Sequence, residues 1–248
     1  MSDVLKIKID RSVVQSNSLI KKQYHMTLRE KQLLMIAISM IDLRDLHRKK
    51  YKISIKEILE VTGAGNKNHS YTKATAKKLS NREIPLIDSD GLTYYVDWLD
   101  WYKPYPDGTI EIRFSEELEP LLYNLKKHFS QYKLGPMLKI KNFATIRLYE
   151  LLNEEVKRLR KQLITYNIND LKKLIGIETK YKLYGHLKNR ILNPAKEDIN
   201  KYTDLKFDFK EKKIGKRVVS IDFIIDKECI SKKEVWFDAR SQKEIEEE

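Results

Sequence analysis

The sequence predicts an α+β fold in which one arrangement of helices and strands occurs twice. A long, largely apolar helix is indicated in each half of the chain, at 27–42 and at 142–159. The segment ISIKEILEVTG at 53–63 aligns without gaps with YNINDLKKLIG at 166–176, an offset of 113 residues. A polar helix and a pair of strands follow in each half. Duplication of one supersecondary unit explains these matches better than chance does.

The repeated unit has the element order of a winged helix. A helix, a short strand, a short helix, a polar helix and a hairpin follow one another, so the second and third helices form a helix-turn-helix and the hairpin forms the wing. The sequence therefore predicts two tandem winged-helix domains related by an internal pseudo-repeat. We place them at 1–134 and 135–240, with the boundary near Gly135-Pro136, and we expect the acidic tail at 241–248 to be disordered.

Local signals predict the elements of the first half in turn. Thr27 and Glu30 have the spacing of a capping box, which opens the first long helix, and Gly63 is expected to end the short helix. Leu134-Gly135-Pro136 is interpreted as a break. The predicted elements are a strand at 4–9, a helix at 27–42, a strand at 51–55, a helix at 55–62, a polar helix at 66–83, paired strands at 92–99 and 109–114, and a helix at 115–129.

The second half is organised around residues 179–217, which include twelve Lys/Arg and five Asp/Glu. A helix is predicted to begin near Lys180, and Pro194 is expected to kink it or re-aim its second half. A strand, a basic turn at 212–217 and a second strand at 218–225 follow. The apolar stripe predicted to pack this helix on the long helix is Tyr184, Leu187, Ile191, Ala195 and Ile199.

The charge of the chain is unevenly distributed. The formal net charge is +13, and residues 131–240 contain 26 basic and 15 acidic side chains, against 22 and 17 in residues 1–130. A basic second half predicts a polyanionic partner such as nucleic acid. Charge alone leaves a second interpretation open, a lysine-rich surface without a specific partner.

The composition also limits the function classes. No apolar run is long enough for a membrane span, and the first residues lack the apolar region of a secretion signal, so a cytoplasmic protein is expected. The single cysteine, Cys229, excludes an intramolecular disulfide and a thiolate metal cluster, and the five scattered His residues form no metal-binding motif. We expect no cofactor and no enzymatic activity. Fourteen Tyr residues leave a nucleophile formally possible.

The polar face of the second polar helix has side chains that can read DNA bases. Arg190 can contact guanine and Asn189 can contact adenine through two hydrogen bonds each, while Lys188 lies at the margin of the face. The basic turn suits phosphate contacts or insertion into the minor groove. A merely solvated helix face is the alternative. The candidate DNA-binding residues of this half are Lys182, His186, Lys188, Asn189, Arg190, Asn193, Lys212, Lys213, Lys216 and Arg217.

The corresponding helix of the first half has fewer base-reading side chains. Contacts to the DNA backbone are therefore predicted there, and an exposed helix without a role is the alternative. The assigned residues are Ser70, Lys73, Lys77 and Lys78. An aromatic cluster around the first hairpin, Trp98, Trp101, Tyr102 and Tyr105, is interpreted as either core or a protein-binding surface.

Segments near both ends of the chain resemble one known family. The similarity lies in VVQSNSLI at 13–20, Tyr24, TLREKQLLMIAISMID at 27–42, YGHLKNRILNPAKEDINKYTDLKFDF at 184–209 and KKIGKRVVSIDFII at 212–225. Over about residues 10–227 the chain resembles the tandem winged-helix plasmid replication initiators that bind iterons. Asn189 stands where that family often has Arg, within its basic triplet.

The resemblance implies a mode of action and a set of partners. Such initiators bind directly repeated iterons as monomers, chiefly through the second winged helix. The first winged helix assists on the DNA backbone and mediates dimerisation, and dimers repress their own promoter at an inverted repeat. Initiation melts an AT-rich region and recruits host helicase and initiator proteins, without catalysis by the initiator. A winged-helix transcriptional regulator and an origin-nicking enzyme are the alternative functions.

Overall fold

The fold was taken from a computed structural model, which describes residues 4–42, 45, 47–64 and 69–231. Within these residues the strands are β1 Val4–Leu5, β2 Ser12–Ser16, β3 Tyr51–Ser54, β4 Glu83–Ile87, β5 Thr93–Asp97, β6 Leu99–Pro104, β7 Thr109–Phe114, β8 Phe129–Lys133, β9 Leu163–Asn167, β10 Phe207–Ile214 and β11 Arg217–Ile225. The α-helices are α1 Asn17–Ile20, α2 Leu28–Ser39, α3 Ile55–Thr62, α4 His69–Leu79, α5 Glu119–Leu122, α6 Leu134–Lys139, α7 Phe143–Leu159, α8 Ile168–Leu174, α9 Tyr184–Leu187, α10 Asn193–Tyr202 and α11 Lys227–Ser231. A 3₁₀ turn at Glu116–Leu118 precedes α5, and a π turn at Lys188–Leu192 joins α9 to α10.

Two units share the predicted plan. In the first, β3 pairs with β7, and β7 pairs with β6 to form the wing. In the second, β9 pairs with β11, and β11 pairs with β10. All these pairs are antiparallel, and the first sheet gains β1, which pairs in parallel with β3. The structure therefore confirms an α+β fold with two tandem winged helices.

The 113-residue offset is visible in the caps of the two short helices. Ser54 and Asn167 occupy equivalent positions, and each side chain accepts a hydrogen bond from the first turn of its helix, α3 or α8. Gly63 and Gly176 follow the same two helices with φ of 67° and 70°. Glycine adopts this left-handed conformation without the steric cost that a Cβ imposes. The repeat is thus one of backbone conformation as well as of sequence.

The two long helices are buried and begin with well-formed caps. The capping box predicted at Thr27 and Glu30 is present at the start of α2. Asn142 caps α7 by accepting hydrogen bonds from the backbone N–H groups of Ala144 and Thr145. Each of these helices is almost fully buried, which agrees with its predicted central position.

A buried ionic cluster joins the two long helices. Glu150 on α7 accepts hydrogen bonds from Lys31 Nζ of α2 and from Arg147 Nη1, each at 2.7 Å, and from Gln15 Nε2 of β2 at 2.9 Å. The hydroxyl of Tyr132 on β8 also donates to Glu150. We call Gln15, Lys31, Tyr132, Arg147 and Glu150 the central ionic cluster. Gln15, Lys31 and Tyr132 belong to the first unit and Arg147 and Glu150 to the second, so these side-chain contacts join the two units.

The strand pairing predicted for the first half is wrong in part. Of the strand predicted at 92–99, only Leu99 pairs with 109–114, because residues 93–97 form β5, which pairs with β4 at 83–87, where no strand was predicted. The Asp88 carboxylate closes this hairpin by accepting hydrogen bonds from two backbone N–H groups of the turn, those of Asp90 and Leu92. The partner of β7 is β6 instead.

The predicted helix at 115–129 and the break after it are also wrong. Asn124 and His128 have positive φ values of 46° and 55°, which are incompatible with a continuous helix, and only the 3₁₀ turn and α5 form. Residues 129–133 form β8, because pairing with β2 buries Ser130 and Tyr132. Gly135 and Pro136 lie in the first turn of α6, where a proline needs no N–H partner.

The remaining predictions concern termini and boundaries. The strand predicted at 4–9 is limited to β1, and the helix predicted from near Lys180 begins at Tyr184. The domain boundary between 134 and 135 stays a prediction, and the tail at 241–248 lies outside the described residues. Among those residues, the structure has no helix with the length and apolar character of a membrane span.

Candidate nucleic-acid interface

The candidate site is a cleft between the second polar helix and its wing. Its volume is about 570 Å³, and it lies between the N-terminal end of α8, the loop before α9, the π turn and the β10–β11 hairpin. Basic residues predicted from the sequence line it on both sides: Lys182, Lys188, Lys213, Lys216 and Arg217. The structure therefore brings residues from the helix and from the wing to one place.

The buried apolar stripe determines which face of the second polar helix is exposed to solvent. Leu187, Ile191, Ala195 and Ile199 are buried, as predicted, and the π turn and α10 pack on α7. The N–H of Asn193 bonds to the carbonyl of Lys188, five residues earlier, which defines the π turn. This widened turn lies directly before Pro194. Because proline has no backbone N–H, it cannot donate the regular helical hydrogen bond to the carbonyl four residues earlier. The irregularity expected at Pro194 is therefore a π turn.

The predicted base-reading residues differ in exposure. His186, Asn189 and Arg190 are exposed, whereas Lys188 and Asn193 are half-buried. Lys182 is exposed too, but it lies in the loop before α9 and not on the helix. Neither Lys182 nor Arg190 makes an ion pair with another described residue, so each presents a free cation to a ligand.

The wing presents its charges on a tight turn. Gly215 has a φ of 59°, and Lys212, Lys213, Lys216 and Arg217 are all exposed around it. Lys212 pairs with Asp222 at 3.1 Å and Lys213 approaches Glu211 at 3.5 Å. No described residue forms an ion pair with Lys216 or Arg217, so the tip of the wing has unneutralised positive charge.

Sequence reasoning missed several residues of the cleft. Asn167, Asn169 and Lys172 line it from the first two turns of the helix-turn-helix, where Asn167 also caps α8. The signal available in the sequence was the polar character of these residues at the start of a short helix. The carboxylate of Glu211 was missed as well, although it accepts a hydrogen bond from Lys188 Nζ at 2.7 Å.

The corresponding helix of the first unit, α4, is exposed on one face. Ser70, Lys77 and Lys78 are exposed and Lys73 is half-buried, with its carbonyl accepting a hydrogen bond from the Tyr102 hydroxyl at 2.9 Å. Ala76 and Leu79 on the other face are buried in the core. The charged face of α4 is thus available to a ligand.

The aromatic cluster divides between core and surface. Trp98 is buried, with its ring edge-on to Tyr24 at 5.3 Å between centroids. Trp101 is half-buried on the outer side of the sheet, where its Nε1 donates to Glu111 at 3.1 Å and Lys50 Nζ lies 3.7 Å from its ring centroid. The structure therefore places Trp98 in the core and leaves Trp101 partly exposed, while a protein-binding role of the cluster stays a prediction.

Asp88 and Asp100 of the first unit make structural hydrogen bonds. Asp100 accepts hydrogen bonds from Arg48 and, at 2.8 Å, from Arg113 Nε. Asp88 closes the β4–β5 turn, as described above. Over the part of the chain that the structure describes, no three His, Cys, Asp or Glu side chains are grouped as metal ligands would be.

Two winged helices in one chain, with a basic helix and wing in the second, define the class of tandem winged-helix DNA-binding proteins. Residues 12–153 match the family described as Initiator Replication protein, WH1, and residues 167–225 match the one described as Initiator Rep protein, WH2. Since the first match alone covers more than half of the chain, the chain belongs to this initiator replication protein family.

Two relatives and one solved structure are similar to this chain. A "Replication initiation protein" of Escherichia coli is 25% identical over 205 residues, which are 78% of this chain and 63% of the relative, so the chain spans less than two thirds of that protein. An "Uncharacterized 27.6 kDa protein" of Escherichia coli is 26% identical over 244 residues, 92% of this chain and 99% of the relative. The crystal structure of the Pi initiator protein in complex with iteron DNA has the same fold, with a TM-score of 0.74 at 19% identity, over 89% of this chain and 99% of that one.

Proposed function

We propose that this protein is a plasmid replication initiator that binds repeated origin DNA, the iterons, in a sequence-specific way. One observation carries the proposal: Asn189 and Arg190 are exposed on the second polar helix, directly after Lys188, which lines the same cleft as the basic wing. A helix of this kind enters the major groove, while the wing follows the DNA backbone. The complex of the Pi initiator with iteron DNA, which shares this fold, supports the proposal.

The second unit supplies the sequence-specific contacts in this proposal. Arg190 contacts guanine and Asn189 contacts adenine, each through two hydrogen bonds in the major groove. Lys182, His186 and Asn193 surround them and contact neighbouring bases or phosphates, while Lys188 lies at the margin of this surface, paired with Glu211. The wing cations contact phosphates and supply affinity without sequence preference: Lys212, Lys213, Lys216 and Arg217.

The first unit contacts the DNA backbone in this proposal. It also mediates dimerisation with a second copy of the protein. Ser70, Lys73, Lys77 and Lys78 on α4 contact phosphates, because this face offers cations and a hydroxyl but no bidentate base reader. Dimerisation through the first unit lets the protein repress its own promoter at an inverted repeat. The monomer is the form that occupies the directly repeated iterons.

Initiation proceeds without catalysis by this chain. Binding helps to open an AT-rich region of the origin and recruits host helicase and initiator proteins to plasmid DNA in the cytoplasm. Supercoiled origin plasmid incubated with the protein and a divalent metal ion should therefore yield no covalent tyrosine–DNA adduct. An adduct would show that the protein is a nicking enzyme.

A footprint on cognate plasmid DNA tests the function. Protection of several direct repeats at a spacing of about 20 base pairs is expected, since two helical turns are the reach of tandem modules. Protection of one promoter palindrome alone would contradict the proposal and identify a transcriptional regulator. A cognate fragment with scrambled repeats serves as the matched DNA control.

A further inference from the structure

A carboxylate lies inside the basic cleft, where a DNA-binding surface would be expected to have none. Glu211 is on β10 and points to the same side as Phe209, toward the second polar helix, because alternate residues of a strand share a face. Its side chain is 19% exposed and lines the cleft between helix and wing. The negative charge of Glu211 can therefore interact with cations of both the helix and the wing.

Glu211 neutralises cations that would otherwise face the DNA. Its carboxylate accepts a hydrogen bond from Lys188 Nζ at 2.7 Å and lies 3.5 Å from Lys213 Nζ. The hydrogen bond from Lys188 holds the pKa of Glu211 below its ordinary value, so the group is ionised at neutral pH. Lys188 is thereby turned toward the wing and away from an approaching phosphate.

We propose that Glu211 is a specificity-determining residue: by holding Lys188, it withholds one cation from phosphates and so weakens binding to random DNA more than binding to the cognate repeat. The inference rests on the proposed function, since it assigns this cleft to DNA.

The physical reason lies in what each kind of complex offers. A carboxylate only accepts hydrogen bonds, as a phosphate does, so the two repel each other and cannot bond. Random DNA is held almost entirely by phosphate contacts. The loss of one cation therefore lowers the affinity for random DNA by the whole contribution of one phosphate contact. The cognate repeat is also held by base contacts of Asn189 and Arg190, which fix the helix in a position where Lys188 stays paired with Glu211. The carboxylate of Glu211 thus increases the ratio of the affinity for the cognate repeat to the affinity for random DNA.

The expected size of the effect follows from counterion release. One additional phosphate contact steepens the salt dependence of log K by about 0.9. At about 0.1 M salt the same contact raises the affinity for random DNA about eightfold. Glu211→Gln, which removes the charge and keeps the shape, should therefore tighten random-DNA binding about eightfold and the cognate repeat less than about twofold.

A matched control separates this local effect from net charge. Asp208 lies on the same strand, is paired with Lys196 Nζ at 2.7 Å, and is 63% exposed outside the cleft. Asp208→Asn changes the net charge of the protein by the same amount as Glu211→Gln. The double variant Lys188→Gln/Glu211→Gln removes the whole ion pair and should bind random DNA as the wild type does.

The test measures Kd for the cognate repeat and for random duplex of equal length, from 0.05 to 0.3 M salt, with all four proteins. The inference predicts a lower specificity ratio and a steeper salt slope for Glu211→Gln alone. It is overturned if Asp208→Asn has an equal effect, if the ratio of Glu211→Gln is unchanged, or if the double variant binds random DNA as tightly as Glu211→Gln. Equal binding of both duplexes by the wild type would instead overturn the proposed function.

Discussion

Replacing Glu150 by Gln is the most informative perturbation of the fold. The carboxylate has no exposed surface and lies between the cations of Lys31 and Arg147, each 2.7 Å away. Burial by itself raises the pKa of Glu150, but these two cations outweigh burial and lower it from 4.5 to about 2. Glu150→Gln leaves both cations buried and facing each other without a carboxylate.

The lowered pKa of Glu150 gives the direction of this change, because the two cations stabilise the ionised carboxylate in the folded protein. Removal of one partner from a buried ion pair typically costs about 3–5 kcal/mol. With a urea m value of about 2–3 kcal/mol per M, the unfolding midpoint should fall by about 1–2 M at pH 7.

Equilibrium unfolding in urea, followed by circular dichroism and by tryptophan fluorescence, measures this change. Trp98 is a suitable probe, since it contacts Tyr24, which accepts hydrogen bonds from Lys31 and Arg147. The matched control is Glu116→Gln, because Glu116 pairs with Arg48 at the surface with 77% of its side chain exposed. Its midpoint should stay close to that of the wild type.

The stability difference between the wild type and Glu150→Gln should depend on pH, and this dependence provides a second test. The folded-state pKa of Glu150 is lower than its unfolded value, so its contribution is fully present above about pH 4.5 and is lost as the pH falls toward 2. The difference between wild type and Glu150→Gln should therefore narrow over that interval. A midpoint at pH 7 within about 0.3 M of the wild type, or a difference that does not vary with pH, would refute the reasoning.

Four further substitutions test the site and the repeat. Arg190→Ala should cost about 1–3 kcal/mol on the cognate repeat and relax base choice in competition binding, and equal losses on random DNA would contradict its role as a base reader. Lys213→Ala should weaken all sequences alike and reduce the slope of log K against log salt by about one, a result that titration at several salt concentrations checks. Gly176→Ala should destabilise by about 3 kcal/mol and Gly63→Ala by about 1 kcal/mol, because a Cβ costs about 1–2 kcal/mol at such φ values. Only at Gly176 would that Cβ also meet Tyr24 O at 2.7 Å and Phe143 Cε1 at 2.8 Å, so equal losses in urea unfolding would show that this contact carries no cost.

Local signals in the sequence were sufficient for the repeated part of the fold. The capping box at Thr27 and the glycine that ends α3, Gly63, depend on a few neighbouring residues, and each was predicted at the right place. The apolar stripe from Leu187 to Ile199 likewise depends only on helical periodicity. These features recur at one offset, so each copy supported the interpretation of the other.

Features that depend on distant partners were not predictable in the same way. A helix was predicted to end at Phe129 and no strand was predicted after it, but pairing with β2, more than a hundred residues away, makes 129–133 a strand. The hairpin β4–β5 is a different case, because its turn is local and is closed by Asp88 within four residues, a signal that was overlooked. Charged residues also look alike in sequence whether they are free or paired, so the partner of Lys188 could not be read from its position.

A hydroxyl-radical footprint of a single cognate repeat tests the central claim, that both winged helices contact DNA and only the second reads bases. The account predicts two protected segments about 10 base pairs apart. Lys77→Ala/Lys78→Ala should remove one segment and keep the sequence preference, whereas Lys212→Ala/Lys213→Ala should remove the other. A single protected segment, or loss of the same segment in both variants, would contradict the account.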